Sequence, residues 1–217
     1  MKNKILLSPP HMGGNELKFI NEAFDSNWIV PMGLNIDYFE NDLENYIDNY
    51  SKIACLSSGT SAIHIALKLA KVKSNDEVIC QSMTFAASAN PILYLGAKPI
   101  FIDSEIDTWN MCPIALEKAI NDRISKGKKP KAIIVVHLYG MPAKMNDIVS
   151  ISKKYNIILI EDSAESLGSS IKMKKCGSFG DFGILSFNGN KIITTSGGGA
   201  LICRTEEQKS KAIFYAT

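Results

Sequence analysis

Two ionisable residues, a carboxylic acid and an amine, follow apolar runs of the sequence. Asp162 comes shortly after the apolar run at 157–160. Lys191 lies five residues beyond Ser186, which closes a second apolar run at 182–186. A carboxylate can hold a protonated nitrogen through a charge-assisted hydrogen bond, and an unprotonated lysine amine can attack a carbonyl group. If both runs are strands of one sheet, the two side chains can converge on one ligand.

Other acids beside Asp162 leave a second interpretation open. Glu161 and Glu165 flank it in the segment EDSAESLG, and paired carboxylates also serve as metal ligands and in retaining glycosidases. The sequence fixes no separation between these carboxylates. Because successive side chains of a strand point to opposite sides, we expect Glu161 to face away from Asp162.

The loop at 57–62, with the sequence SSGTSA, is a candidate phosphate site. Gly59 lets the backbone approach a ligand closely. The hydroxyl groups of Ser58 and Thr60, together with free amides at a helix start, suit a phosphate. The loop contains neither GxxxxGK[ST] nor GxGxxG, and an ordinary helix cap explains it equally well.

Two further loops carry a ring that could face the same ligand. Phe85, in the segment QSMTFAAS, could stack on a flat cofactor ring or pack into the core at a helix start. His137, in the segment HLYG, could line the cleft or be a buried structural histidine. Together the loops supply a phosphate cradle, an aromatic ring, a carboxylate for a ring nitrogen and a lysine for a Schiff base. These are the groups that pyridoxal phosphate requires, so the sequence predicts this cofactor.

The elements that must position these loops form an α/β pattern. Short apolar runs alternate with helical periodicity, which indicates a mostly parallel seven-stranded sheet with helices on both faces. We predict an irregular N-terminal arm at 1–14, and a single domain over 1–217. Predicted strands are 53–56, 78–80, 99–102, 132–136, 157–160, 182–186 and 200–203. Predicted helices begin near 15 and continue with 36–50, 60–70, 86–95, 113–123, 145–155 and 206–215.

Composition excludes several other classes of protein. The 217 residues are 46% hydrophobic and 21% charged, which is typical of a globular chain. A net charge of +2 gives no electrostatic reason to expect a nucleic acid or an anionic membrane as partner. The five cysteines contain no CxxC pair, so we expect reduced thiols and no metal site. No segment resembles a signal peptide or a membrane span, and a cytoplasmic location is predicted.

The loops together resemble one known family, the DegT-type nucleotide-sugar aminotransferases. Within that family the chain is most similar to bacterial UDP-4-keto-sugar aminotransferases of the bacillosamine pathway. The resemblance begins at SPPHMGG and continues to the end of the chain. The segments that carry it are SSGTSA (57–62), MTFAAS (83–88), HLYG (137–140), EDSAESLG (161–168), FGDFGILSFNGNK (179–191) and TTSGGGA (194–200).

The resemblance implies a fold and a set of site residues. The fold would be the three-layer α/β/α large domain of the pyridoxal-phosphate-dependent transferases. Lys191 would form the Schiff base and Asp162 would pair with the pyridinium nitrogen. The remaining implied cofactor-binding residues are Phe85 for ring stacking, Ala164 beneath the ring, and Gly59, Thr60 and Ser186 at the phosphate.

One implied position departs from the family pattern. Glu165 stands where many relatives have histidine or glutamine. Its predicted contact is therefore open between the cofactor hydroxyl, the lysine and the sugar.

The resemblance also implies substrates and partners. The expected reaction transfers an amino group from L-glutamate to a UDP-linked 4-keto-6-deoxysugar, for bacterial surface glycan or glycoprotein biosynthesis. The expected assembly is a homodimer. Because the family continues into a smaller C-terminal domain and this sequence ends at FYAT, a truncated chain without turnover is an alternative. A pyridoxamine-phosphate-dependent sugar dehydratase is a further alternative, but those relatives carry histidine at the position of Lys191.

Overall fold

The computed structural model describes residues 5–6 and 8–217. Seven strands form one sheet in the order β1-β9-β8-β5-β4-β2-β3, and a separate two-stranded hairpin contains β6 and β7. In the sheet, β9 runs antiparallel to β1 and β8, whereas the other neighbouring strands are parallel. The strands are β1 (Lys52–Leu56), β2 (Glu77–Gln81), β3 (Lys98–Ile102), β4 (Ala132–Val136), β5 (Ile158–Asp162), β6 (Ser170–Ile171), β7 (Lys174–Lys175), β8 (Phe182–Ser186) and β9 (Gly199–Cys203).

Helices cover both faces of this sheet and give the three layers that the resemblance implied. They are α1 (Glu16–Asp25), α2 (Leu34–Ile47), α3 (Gly59–Leu69), α4 (Asn90–Tyr94), α5 (Pro113–Ser125), α6 (Met145–Tyr155) and α7 (Glu206–Ala216). Every residue of β2, β4 and β9 is buried. Within β4, Ile134 packs in the hydrophobic cluster that includes α3 residues, and Ile133 packs in the cluster with α5 and α6. The apolar strands without polar alternation are therefore explained by burial on both faces.

The edge strand β1 is covered by carboxylates of α2. Oε1 of Glu44 accepts the N–H of Ile53 at 3.0 Å, and Oε1 of Glu40 accepts the N–H of Cys55 at 2.8 Å. The two acids are four residues apart on one helix face, so they meet alternate N–H groups of the strand. Nζ of Lys209 lies 2.8 Å from Glu40 and 3.3 Å from Glu44. These contacts fix β1, whose carboxyl end leads into the loop at 57–62.

Two predicted helices differ from the structure. The helix predicted at 86–95 is a 3₁₀ turn, Ala86–Ser88, followed by the short α4. Pro91 lacks an N–H and lies in the first turn of α4, where that group is not needed, so a helix can begin there but not run through it. The helix predicted at 36–50 ends at Ile47, because Oδ1 of Asp48 accepts the N–H groups of Tyr50 and Ser51 and turns the chain.

The hairpin of β6 and β7 was not predicted. Its turn residues, Lys172 and Met173, have φ values of +48° and +69°, which is the left-handed backbone typical of tight hairpin turns. Glycine or asparagine usually marks such turns, and neither residue is present here. The predicted N-terminal arm is irregular where the structure describes it, and residues 1–4 and 7 of the arm lie outside the described residues.

In the described part of the chain, none of the helices combines the length and the apolar character needed to cross a membrane.

Candidate functional site

The carboxyl ends of the parallel strands surround a cavity of about 360 Å³. This volume lies in the range of small-molecule sites, about 300–1,000 Å³, and its position at the strand ends is where open α/β sheets bind ligands. All eight predicted site residues line it. The lining includes Ser57, Ser58, Gly59, Thr60, Thr84, Phe85, Asp162, Ala164, Glu165, Ser186, Asn188, Asn190 and Lys191.

One end of the cavity is the start of α3. Oγ of Ser58 caps the helix by accepting the N–H of Ser61 at 3.0 Å. The N–H groups of Gly59 and Thr60 have no acceptor among the described residues, as expected for the first turn of a helix. A Cβ atom on Gly59 would lie 3.1 Å from Cβ of Ser186, so glycine allows α3 to approach β8 closely. The free amides and the partial positive charge of the helix start suit a phosphate group.

Asp162 is a buried carboxylate at the wall of the cavity. It is the last residue of β5 and is only 5% exposed. Its Oδ2 accepts the hydroxyl of Ser88 at 2.6 Å, and its Oδ1 accepts the N–H of Ala164 at 3.2 Å. Burial raises the pKa of Asp162, against the hydrogen bonds and the charge of Lys191, which lower it. Among the described residues no cation lies within 4 Å of it, so a cationic group of a ligand would complete its charge balance.

Lys191 reaches the same cavity from the loop after β8. Its Nζ lies 3.2 Å from Oε1 of Glu165, and its side chain is only 12% exposed. Oε2 of Glu165 accepts the N–H of Tyr139 at 2.8 Å. The base of the loop is tied to buried Phe187, whose N–H donates to Gly198 and whose carbonyl accepts from Thr195. The contact left open for Glu165 is therefore made to the lysine in this structure.

The predicted ring-stacking residue, Phe85, lies at the wall of the cavity. It directly precedes the 3₁₀ turn Ala86–Ser88 and has extended backbone. Its side chain is 76% exposed, which is unusual for a phenylalanine and excludes the alternative that it packs in the core. Ala164 also lines the cavity, directly beyond the strand that ends in Asp162.

His137 and Glu161 form a separate buried pair that does not line the cavity. Both are 0% exposed, and Nε2 of His137 lies 3.1 Å from Oε2 of Glu161. Nδ1 of His137 accepts the N–H of Ala143 at 3.1 Å, so the ring proton is on Nε2 and is donated to Glu161. Glu161 thus faces away from Asp162, as predicted, and His137 fits the structural interpretation.

Sequence reasoning missed two hydroxyl groups and two amides at the site. Thr84, Asn188 and Asn190 line the cavity, and Ser88 lies behind Asp162. Ser88 and Thr84 belong to the same QSMTFAAS segment that drew attention to Phe85. Their importance depends on the turn that brings Ser88 against another strand end, and no local pattern signals that contact.

The residues of the cavity fit pyridoxal phosphate. Phosphate would meet free N–H groups of α3, a protonated ring nitrogen would meet the unpaired carboxylate of Asp162, and an aldehyde would meet the amine of Lys191. The fold and the site together define a class, the pyridoxal-phosphate-dependent transferases.

Comparison with known proteins gives the family. The model of the DegT/DnrJ/EryC1/StrS aminotransferase family matches residues 10–217, and the chain belongs to this family. The predicted family and fold are therefore confirmed.

Two curated relatives are similar over nearly the whole chain. The protein named "Putative pyridoxal phosphate-dependent aminotransferase EpsN" of Bacillus subtilis (strain 168) is 55% identical over 217 residues, which are 100% of this chain and 56% of EpsN. The GDP-perosamine synthase of Escherichia coli O157:H7 is 42% identical over 208 residues, covering 95% of this chain and 55% of that protein. The chain spans about half the length of the curated relatives it matches.

A solved structure agrees with the fold. The PLP form of the "Putative sugar aminotransferase Spr1654" from Streptococcus pneumoniae superposes with a TM-score of 0.87 at 30% identity, over 97% of this chain and 57% of that one. The same protein has also been solved in a PMP form. The cofactor prediction is confirmed by the family and by these cofactor-bound neighbours.

Proposed function

We propose that this protein transfers an amino group from L-glutamate to a nucleotide-linked 4-keto-6-deoxysugar, using pyridoxal phosphate. The observation that carries the proposal is the convergence of Lys191, Asp162 and the start of α3 on one cavity. Family membership supports amino transfer. The similarity to a GDP-perosamine synthase supports a nucleotide-linked sugar as the acceptor. We further propose that residues 1–217 form the cofactor-binding large domain and that the product enters bacterial surface glycans or glycoproteins.

The proposed binding roles follow from the chemistry of each wall. Gly59 and Thr60 offer backbone N–H groups to the phosphate, and Ser186 adds a hydroxyl beside them. Asp162 accepts a hydrogen bond from the protonated ring nitrogen, and the positive charge of the ring then balances the charge of this buried carboxylate. Phe85 and Ala164 provide apolar surface for the flat ring.

The proposed catalytic residue is Lys191. When bound, pyridoxal phosphate supplies an electron sink for the charge that develops at the amino-bearing carbon. Nζ of Lys191 first acts as a nucleophile toward a carbonyl carbon. Once the amino donor has replaced it, Nζ is free to take the proton from the substrate carbon as a general base and to return a proton as a general acid. Glu165, at 3.2 Å, holds this amine at the cavity before the ligand arrives.

The test combines cofactor, donor and acceptor in one assay. The protein is incubated with pyridoxal phosphate, L-glutamate and candidate UDP- and GDP-linked 4-keto-sugars, and the products are identified by mass spectrometry. We expect an aminosugar nucleotide and 2-oxoglutarate. The yellow colour of lysine-bound cofactor should be absent in the variant Lys191→Ala, and turnover should fall by roughly 10³-fold or more, since the nucleophile and the general base are lost together.

A matched control comes from a lysine at the opposite end of the sheet. Lys98 is exposed and begins β3, on the amino edge away from the cavity. The variant Lys98→Ala should keep both colour and turnover. A wild-type protein that stays colourless with pyridoxal phosphate, or a Lys191→Ala variant that retains turnover, would contradict the proposal.

A further inference from the structure

Two hydroxyl groups are hydrogen-bonded in series to the carboxylate of Asp162. Ser88 is 0% exposed, and its Oγ lies 2.6 Å from Oδ2 of Asp162. Oγ1 of Thr84, which is half-buried and lines the cavity, lies 2.7 Å from Oγ of Ser88. The three side chains therefore form a continuous hydrogen-bonded row that begins at the cavity wall and ends at the carboxylate.

The direction of the hydrogen bonds in this row is determined by the carboxylate. An ionised carboxylate only accepts hydrogen bonds, so Ser88 must donate its proton to Asp162. The oxygen of Ser88 is then left to accept the proton of Thr84. Because Oδ1 of Asp162 accepts the N–H of Ala164, both carboxylate oxygens are anchored and the plane of the group is fixed.

Among the described residues no second side chain donates a hydrogen bond to Asp162; the other donor is the backbone N–H of Ala164. Lys191 is paired with Glu165, and the ring of His137 donates to Glu161. Burial disfavours the ionised form of Asp162, whereas the hydrogen bond from Ser88 favours it. Ser88 is thus the only side chain among the described residues that donates a hydrogen bond to this buried charge.

We propose that Ser88, with Thr84 behind it, is a positioning residue that keeps Asp162 ionised and oriented toward the ring nitrogen of the cofactor. Loss of the Ser88 hydroxyl should affect the proton that Asp162 shares with the ring nitrogen of the cofactor. If Asp162 loses its donor, its carboxylate becomes the stronger base, and the proton shared with the ring nitrogen moves toward oxygen. The ring then becomes a weaker electron sink. This inference rests on the proposed function, because it assumes pyridoxal phosphate in the cavity.

A serine elsewhere in the core provides a matched control. Ser166 is also 0% exposed, and its Oγ has no hydrogen-bond partner among the described residues. The variants Ser88→Ala and Ser166→Ala remove the same atom from equally buried sites. If Ser88 acts only through packing, both variants should behave alike.

The experiment measures the position of the proton in the intact protein. Wild type and the variants Ser88→Ala, Ser88→Thr, Thr84→Val and Ser166→Ala are loaded with pyridoxal phosphate that carries nitrogen-15 in the ring. The nitrogen chemical shift reports whether the ring is protonated, and the visible absorbance reports affinity for the cofactor.

We expect Ser88→Ala to move the nitrogen signal toward that of an unprotonated ring and to weaken cofactor binding by about tenfold, the lower end for a hydrogen bond to a charged group. Thr84→Val should change the signal in the same direction by less. Ser88→Thr, which keeps the hydroxyl, should resemble wild type, and Ser166→Ala should leave both measurements unchanged.

Several outcomes would overturn the inference. One is a wild-type nitrogen shift in Ser88→Ala, and another is an equal change in Ser166→Ala. If Ser88→Ala does not fold, a wild-type shift in Thr84→Val is decisive against it. A wild-type protein that binds no cofactor would instead overturn the proposed function itself, so the two failures can be distinguished.

Discussion

Glu161 and Asp162 are adjacent carboxylates at the end of β5, and replacing each by its neutral amide should change the free energy of unfolding in opposite ways. Glu161 is 0% exposed, and its two oxygens accept hydrogen bonds from the N–H groups of Gly177, Phe179 and Gly180 and from Nε2 of His137. Asp162 accepts two hydrogen bonds from the described residues and faces the cavity. We therefore expect Glu161→Gln to damage folding and Asp162→Asn to damage cofactor binding.

The loss of unfolding free energy expected for Glu161→Gln depends on how many hydrogen-bond donors lose their acceptor. Glutamine has one acceptor oxygen, and its amide group would point its own N–H bonds at donors. At least two of these four donors then lose their acceptor. Because a hydrogen bond to a charged group contributes about 1.5–3 kcal/mol, the free energy of unfolding should fall by roughly 3–5 kcal/mol.

Asp162→Asn should have the opposite effect on stability in the cofactor-free protein. Burial raises the pKa of Asp162, so the ionised carboxylate costs folding free energy. Asparagine keeps an acceptor oxygen for Ser88, gives up the weaker hydrogen bond from the N–H of Ala164 at 3.2 Å, and removes the charge. The free energy of unfolding should therefore be unchanged or higher, whereas binding of pyridoxal phosphate should be lost.

The sign of the pH dependence follows from linkage. A carboxyl group whose pKa is raised on folding binds more protons in the folded state than in the unfolded state. The contribution of Asp162 to wild-type stability is therefore greatest when the pH is below its unfolded-state pKa of 3.8. That stability is lost as the pH rises through the folded-state pKa. The advantage of Asp162→Asn should therefore be small at acidic pH and larger at neutral pH.

Urea unfolding of the cofactor-free proteins, followed by circular dichroism, measures both effects. Glu207→Gln is a matched control, because Glu207 pairs with Lys211 four residues later and its side chain is 76% exposed. It should change stability by less than about 0.5 kcal/mol. A loss of unfolding free energy under about 1 kcal/mol in Glu161→Gln, or an equal loss in Asp162→Asn and Glu161→Gln, would contradict these expectations.

Two remaining predictions concern the start of α3 and the assembly. A Cβ atom on Gly199 would overlap the backbone of Ser58 and Gly59, so Gly199→Ala should lower the free energy of unfolding by about 1–3 kcal/mol and weaken cofactor binding. In the control Gly189→Ala nothing lies within 4 Å of the new Cβ atom, so stability and cofactor binding should both stay unchanged. Equal unfolding curves for Gly199→Ala and Gly189→Ala would contradict the prediction. α1 buries none of its residues and exposes apolar side chains such as Phe24, so we expect this helix to contact a second copy of the chain. Light scattering should give the mass of a homodimer for wild type and a lower mass for Phe24→Glu. A monomeric wild type would contradict the predicted homodimer.

Much of the fold could be predicted because apolar runs are a direct consequence of burial. The seven predicted strands all occur. β2, β4 and β9 are buried along their whole length, as expected for strands covered on both faces, whereas the edge strand β3 is apolar but partly exposed. The break at Pro91 was missed because periodicity continued across it, and the hairpin at Lys172 and Met173 was missed because it lacks the usual glycine. In both cases a backbone requirement outweighed the residue pattern.

The candidate site could also be predicted in outline, because its residues follow strand ends in chain order. Asp162 and Lys191 were identified by residue type and by position after an apolar run. Their partners were identified only in part. Glu165, which reaches Lys191 across 26 residues, was a predicted site residue whose contact was left open, whereas Ser88, which reaches Asp162 across 74 residues, was not predicted. Hydrogen bonds over such separations depend on strand order, which local sequence does not encode.

The sequence by itself therefore determined which types of group occur at the site, because each type has few chemical uses in such a position. These groups are an amine, an acid, a glycine-containing helix start and an aromatic ring. The tertiary structure decided which group meets which. It placed β8 beside β5, so that Lys191 and Asp162 share a cavity, and it turned Glu161 into the core and Asp162 toward the ligand. The physical reason is that residue type limits the chemistry available, whereas distance, burial and the direction of hydrogen bonds exist only once the strands have paired.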